Sequence, residues 1–541
     1  MAPSFENVRV SVVMLYPRPL PYAPAAFTAG VQAALDQDHA DIELFVVDAR
    51  GPQTSLDFLP ANADPARVQH CPDDYADRAA MLVRALDAAT GEFLLMLLTD
   101  QAAVQLKRSA LRTMLMAALR EAHQFGPAGL VYADYERILP GGQRQDVHLL
   151  DWHPGRLRDS VDFGHALLFH LPTVRALGGI DRAYQVAALY DLRLRISEEH
   201  RLVHVANRFG GALYSVAAPA DAHNVFAYLL DDPATQRDME RACTAHLRHN
   251  GAYLAPGAHI RPVQYAPAEL ARFTDCLASI IIPVHRRPKF IGHAIASALA
   301  QTERRLEVIV VVNGGLADPT ADAVRRHLPG GDRHDPTAPP VRLIVVDVNN
   351  LGLCLNAGLT AARGKYYVQL DSDDRLTPDA VARLIEVFES DPTIGVVIGS
   401  YEVWTLDERT GQVQRDPRIP VVRHEEWTAD NGRNNLLRLN GAGAPRAAHI
   451  KVIRELGWFG VNDTPACRNY GEDYDLVLRI SERYNVGRVW EPIYRVIRHA
   501  GGTDHAIDQA TIDRNDNAKD HMRLAALRRR QALNTHPEQT P

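Results

Sequence analysis

The sequence predicts an α/β protein in which one domain type is used twice. Three observations carry this. Short β-branched runs alternate with segments of helical apolar spacing. Four stretches of the first half return, in the same order, in the second. The chain is 541 residues long, room for several domains at roughly 150 residues each.

The elements are plainest in the second half. Ser279–Val284 reads SIIIPV, a buried strand by its β-branched content, with Pro283 ending it. Phe290, Ile291, Ala294, Ile295, Ala298 and Leu299 then recur at a helical period. The strands EVIVVV (Glu307–Val312), VRLIVV (Val341–Val346) and YYVQL (Tyr366–Leu370) follow, with a helix through Ala357–Ala362 before the last. This is βαβ winding. The Pro- and Gly-rich stretch Pro329–Pro340 is a surface loop. In the repeat, Val8–Pro19 parallels Leu277–Pro288, and Ile42–Gly51 parallels Leu306–Gly315. Gly91–Gln101 parallels Gly364–Asp374, and Tyr190–Val205 parallels Tyr474–Val489. Asp232–Asn250 reads as one helix stopped by Gly251. Asp508–Arg530 is helix-compatible, with Arg528, Arg529 and Arg530 as a solvated face, and Asn534–Pro541 is a disordered tail.

Composition excludes several classes. The net charge is −7, from 59 Lys+Arg against 66 Asp+Glu, with no basic run, so a nucleic-acid partner is not expected. Five scattered cysteines (Cys71, Cys243, Cys276, Cys354 and Cys467) form no CxxC pair, which fits a reducing compartment. Neither a signal sequence nor a membrane-spanning run is visible. The expectation is a cytoplasmic protein, with association at the inner membrane face left open.

Chemistry concentrates in two acidic motifs. Asp371-Ser372-Asp373-Asp374 follows the strand YYVQL directly, and carboxylates at the carboxyl end of a parallel strand face the crevice where such sheets bind ligands. Glu472 and Asp473 open an apparent helix whose buried face is Tyr474, Val477, Leu478 and Ile480.

In these motifs the chain resembles the family-2 glycosyltransferases, which have the GT-A fold. The resemblance rests on SIIIPVHRR, VVVNGG, NLGLCLNAGL, GKYYVQLDSDD, GEDYDLVLRIS and YRVIRH. It covers Leu277–His499 well and Val8–Ser215 weakly. It implies two tandem GT-A-like (nucleotide-diphospho-sugar transferase, Rossmann-like) α/β domains, with a helical linker and a C-terminal helical tail. The expected boundaries are 1–217 for a degenerate, non-catalytic copy and 218–275 for the linker. The catalytic domain then spans 276–500, and 501–541 holds a lid, a helix and the tail.

The resemblance also assigns roles. Pro283, Val284, His285 and Asn313 hold the nucleoside; Asn350, Gly352, Asn356 and Ser372 belong to the nucleotide-sugar site. Asp371 faces the ribose and metal region. Asp373 binds Mn²⁺ or Mg²⁺ directly, and His499 matches a late histidine ligand. Asp473 is the general base of an inverting displacement, and Glu472 positions the acceptor. These types suit the chemistry: a departing diphosphate needs a cation, hard cations prefer carboxylate oxygens, and an acceptor hydroxyl needs a base. Two departures stand out. Asn313-Gly314 replaces an acidic pair common in the family, and Asn350–Gly358 is short and lacks the usual arginine.

The expected function is transfer of a sugar from a nucleotide-diphosphate donor, UDP above all, to a glycan, lipid-linked or protein acceptor. Self-association is left open. A nucleotidyltransferase would want a glycine-rich phosphate loop where PVHRRP stands, and a non-enzymatic scaffold would not need both acidic motifs. In the first copy, Leu98 and Asp100 fall opposite Asp371 and Asp373, and Ala188 and Leu189 opposite Glu472 and Asp473. That copy is therefore expected to bind acceptor or buttress the other.

Overall fold

In a computed structural model the structure describes residues 7–207, 211–217, 233–423, 431–439, 441, 443–461, 463, 470–499 and 509–536. The described residues form two compact units, 7–250 and 251–536.

The large sheet of the first unit has seven strands. They are β1 (Val10–Tyr16), β2 (Ile42–Asp48), β3 (Val68–Pro72), β4 (Phe93–Leu97), β5 (Leu130–Ala133), β6 (Ala166–His170) and β7 (Leu202–Val205). Their spatial order is β3-β2-β1-β4-β6-β5-β7. The second unit has β8 (Ala278–Val284), β9 (Leu306–Val312), β10 (Val341–Val345), β11 (Tyr366–Gln369), β12 (Arg375–Leu376), β13 (Ile394–Leu406), β14 (Arg446–His449) and β15 (Asn485–Arg498). Their order is β10-β9-β8-β11-β14-β13-β15-β12. The first seven positions of the two lists correspond. Among these seven corresponding strands only the fifth, β6 or β14, runs antiparallel to its neighbours; β12, the eighth strand of the second sheet, also runs antiparallel to β15. The α/β fold class follows in both halves.

The centre of each sheet is buried on both faces. Every residue of β1, β8 and β9 is buried, which is why these runs are mostly apolar and rich in Val and Ile rather than alternating. The core of the second unit joins these strands to Ile291, Ala294, Ile295 and Ala298 of the helix Ile291–Leu299.

Several expectations need correction. Pro283 lies inside β8 rather than ending it, because β8 pairs with β11 only as far as Ile281 and no partner there needs the missing N–H. The first repeat match slips by one residue. Ser11 corresponds to Ser279, since each hydroxyl bonds the glutamate beside it (Glu43 or Glu307) and accepts the N–H of Gly91 or Gly364. The helix Pro233–His249 belongs to the first unit rather than to a linker. Asp238 accepts the N–H groups of Val186 and Ala187, and His246 meets Glu198 at 2.7 Å.

The C-terminal helix runs from Gln509 to Thr535 and so takes in Asn534, whose amide donates to the carbonyls of Gly251 and Tyr253. Of the three arginines expected on a solvated face, Arg528 is exposed and the other two are not. Arg530 is buried and donates to the Arg433 carbonyl, and Arg529 pairs with Glu482 at 2.9 Å. The expected lid, Gly501–Asp513, lies outside the described residues except for its last five. The end of the expected tail, 537–541, lies outside them entirely.

Candidate active site

The turn after β11 presents the first acidic motif. Asp374 N–H donates to the Asp371 carbonyl at 3.1 Å and closes it. Asp374 is buried, and its carboxylate accepts the Ile497 N–H of β15 at 2.8 Å. Burial, and then the charges of Asp371 and Asp373, raise its carboxyl well above the usual range. Asp374 therefore braces the turn against β15. Ser372 is buried within the turn. Asp371 accepts from Gln369 at 3.1 Å, and its own N–H donates to the Tyr494 hydroxyl. Desolvation raises Asp371 as well, opposed by Arg446 and reinforced by Asp373.

The second motif stands at the start of the helix Glu472–Ser481. Gly471 precedes it at φ +83°, and a Cβ there would sit 2.9 Å from Met522 of the C-terminal helix. Only glycine fits on both counts. The expected buried face, Tyr474, Val477, Leu478 and Ile480, is buried. Asp473 meets Arg446, the first residue of β14, at 2.9 Å. Burial alone would lower Arg446, but Asp473 and Asp371 outweigh it and push it above its ordinary value. Arg446 thus ties the two acidic motifs together. Glu472 is 9% exposed, and desolvation, reinforced by Asp473, pushes its carboxyl up to about 7. Lys519 of the C-terminal helix lies over the Tyr470 ring at 4.7 Å, close enough for Asp473 to act on its charge.

Asp373 faces a different set. One of its oxygens, Oδ2, meets His499 Nε2 at 2.9 Å and the Arg287 guanidinium. Phe290 stacks on the His499 ring, centroids 4.2 Å apart. Among the described residues no three His, Cys, Asp or Glu side chains converge on one metal position. The expected trio of Asp371, Asp373 and His499 is therefore not formed as a set. Asp371 is turned to Gln369 and Arg446. The carboxylate and imidazole that do meet are both ordinary Mn²⁺ donors, and two protein donors leave positions for diphosphate oxygens and water. That pair fits an ion held jointly with a nucleotide.

Val284 ends β8, with Pro283 just inside it, beside the end of β9, and His285 Nδ1 meets Asn313 Oδ1 at 2.9 Å. Asn313 donates to Asn349 at 3.1 Å. These residues stand together at the carboxyl ends of the two central strands. The other three expected binding residues have structural partners instead. Asn350 caps the helix Leu351–Ala361 by accepting the Leu353 N–H, and donates to the Val461 carbonyl. Asn356 exchanges two bonds with the Phe459 backbone. A Cβ on Gly352 would lie 1.8 Å from the Gly460 carbonyl oxygen. All three clamp the segment Phe459–Val461. Sequence reasoning missed Arg446 and Arg287. A signal for Arg446 existed: extending the β4/β6 and β11/β14 ladders sets Leu167 opposite it, so the first copy loses it together with its acidic partners.

Comparison with known proteins agrees with this geometry. Residues 279–454 match the family described as glycosyl transferase family 2. A chondroitin synthase of Pasteurella multocida is 36% identical over 227 residues, 42% of this chain and 21% of that protein. A hyaluronan synthase of the same species matches to the same extent. A chondroitin synthase of Escherichia coli is 24% identical over 318 residues, 58% of this chain and 42% of that protein. The chain thus spans less than half the length of these relatives. A solved structure of S. aureus TarS with UDP-GlcNAc aligns at TM-score 0.33 and 15% identity, over 43% of this chain and 61% of that one. That likeness is too slight to build on. With the family match and the acidic motifs falling in the same unit, the chain carries a glycosyl transferase family 2 domain.

Proposed function

We propose that the second unit transfers a sugar from a nucleotide-diphosphate donor, UDP-linked, to a glycan hydroxyl in polysaccharide synthesis, with inversion at the anomeric carbon. The observation that carries the reading is the Arg446–Asp473 ion pair at 2.9 Å, with the charge of Asp371 acting on the same guanidinium, beside the Asp373–His499 pair. The glycan acceptor is favoured because the relatives are named as chondroitin and hyaluronan synthases.

Asp473 takes the proton of the attacking hydroxyl, held in place by Arg446. A single base on the face opposite the departing diphosphate gives inversion. Glu472, raised to about 7, keeps its proton below neutral pH, where it donates a hydrogen bond to the acceptor instead of competing for the proton. His285 and Asn313 supply polar edges for the nucleoside. Asp373 and His499 would hold Mn²⁺ or Mg²⁺, which supplies positive charge to the leaving diphosphate when bound.

The first unit is non-catalytic in this reading, because Leu98, Leu167, Ala188 and Leu189 take no proton and hold no ion. Among the described residues no helix is long and apolar enough to cross a membrane. Cys71, Cys276 and Cys354 are buried thiols outside any disulfide, which favours a cytoplasmic setting. The test is UDP release from a panel of UDP-hexoses, UDP-N-acetylhexosamines and UDP-hexuronates with Mn²⁺ and glycosaminoglycan oligosaccharides. Donor-specific release with extension of the oligosaccharide supports the proposal. Silence with every donor overturns it.

A further inference from the structure

Two side chains, a guanidinium and an imidazole, share one oxygen of Asp373. Arg287 and His499 both address Oδ2, which is the atom a metal beside His499 would use. A cation taken by His499 Nε2 replaces the bond which that nitrogen makes to Oδ2, and it then meets the Arg287 guanidinium on the same oxygen. His499 is held by the stacked Phe290 ring, and its side chain is only 3% exposed. Arg287 is held by its charge alone at its far end, while its backbone is fixed. Arg287 N–H donates to Thr320 Oγ1 at 2.9 Å, and Arg286 N–H donates to Asp318 at 2.8 Å with φ at +50°. The loop therefore aims the guanidinium at Asp373 from a hydrogen-bonded backbone. Asp371, Asp373 and Asp374 also crowd three carboxylates onto one turn.

We propose that Arg287 is a resident counter-cation that competes with the divalent metal for Asp373, so that metal binds tightly only together with a diphosphate. The inference rests on the metal reading above. A bare Mn²⁺ ion would set its charge against the Arg287 guanidinium on one carboxylate oxygen in a largely buried place, which is costly. A nucleoside diphosphate removes that cost, because its oxygens take the fork that Asp373 releases. Metal and nucleotide then favour each other reciprocally.

The test is a Mn²⁺ titration of the full chain, followed by the electron paramagnetic resonance signal of the free ion, with and without UDP. Wild type should bind Mn²⁺ weakly alone and at least about tenfold more tightly with UDP, within the usual span of such couplings. Arg287→Met should bind Mn²⁺ alone about tenfold more tightly than wild type and show a smaller gain from UDP. Arg287→Lys keeps the charge and should fall between them, and thermal melts confirm that each variant is folded. If Arg287→Met and wild type bind bare Mn²⁺ equally while UDP still tightens both, the competition is overturned and the metal reading stands. If no folded variant binds Mn²⁺ even with UDP, the metal reading fails and this inference fails with it.

Discussion

Beneath their surfaces the two units share a hydrogen-bonded skeleton, and they differ at the carboxyl ends of their strands. Gln37 and Gln301 each accept the N–H of the following helix, from Leu111 and Val381, and each donates to a carbonyl one turn back. Arg195 pairs with Asp191, and Arg479 with Asp475, four residues earlier on equivalent helices; each arginine also donates to two loop carbonyls. Tyr190 and Tyr474 donate to Leu157 and Leu436. Polar groups that hold the fold are thus kept in both copies. The charged set that would do chemistry is replaced in the first copy as a block, with Leu98, Leu167, Ala188 and Leu189 for Asp371, Arg446, Glu472 and Asp473. The corresponding nucleoside end is filled as well: Arg50, paired with buried Asp48, lies 4.1 Å over the Tyr16 ring. A buried ion network survives only with all its members, because one stranded charge costs more than an apolar substitute. Joint loss is what that physics predicts.

The comparison can be broken most sharply at the base. Asp473→Asn should lower transfer by about 10²–10⁴-fold, measured as kcat with saturating donor. Asp100→Ala in the first unit should leave kcat within about twofold of wild type, since a group that takes no part in the transition state leaves its energy unchanged. Loss of transfer on Asp100→Ala would give the first unit a chemical role.

Arg446→Met comes next. It strands Asp371 and Asp473 and should destabilise the chain by about 3–5 kcal/mol in urea unfolding. Leu167→Met, at the equivalent position, should cost less than about 1.5 kcal/mol.

The pH dependence sharpens the contrast further. The folded chain holds the Glu472 carboxyl at about 7, against an ordinary 4.5. Between those values the folded state keeps a proton that the unfolded state has lost. Stability therefore falls as pH rises through that window, by a contribution on the order of 3 kcal/mol. Glu472→Gln should flatten this slope in urea midpoints measured from pH 5 to 8. The first unit, with Ala188 at this place, contributes no such slope there.

The smallest effects should match between units. Asp77 and Asn350 cap equivalent helices, accepting from Ala80 and Leu353. Alanine at either should cost about 1 kcal/mol, read as equal shifts in the unfolding midpoint.

Much of this was legible in the sequence because it is local. The runs SIIIPV and LEVIVVV declare doubly buried strands, and DSDD and GEDYD carry their chemistry in adjacent residues. What stayed hidden depends on partners far along the chain. Arg446 gains its meaning from Asp371 and Asp473, 75 residues before it and 27 after. Arg287 gains its own from Asp373, 86 residues on. Asparagine side chains suit a ligand or a loop equally, so Asn350 and Asn356 could not be assigned from type alone. Arg530 looked solvated because nothing local announces the Arg433 carbonyl that receives it.

The most direct measurement copies the first unit's residues into the second: Asp371→Leu, Arg446→Leu, Glu472→Ala and Asp473→Leu together. Removing every member at once avoids a stranded charge, so the chain should unfold in urea within about 2 kcal/mol of wild type while polysaccharide transfer disappears. Transfer that persists in this folded variant would contradict the assignment of chemistry to the second unit.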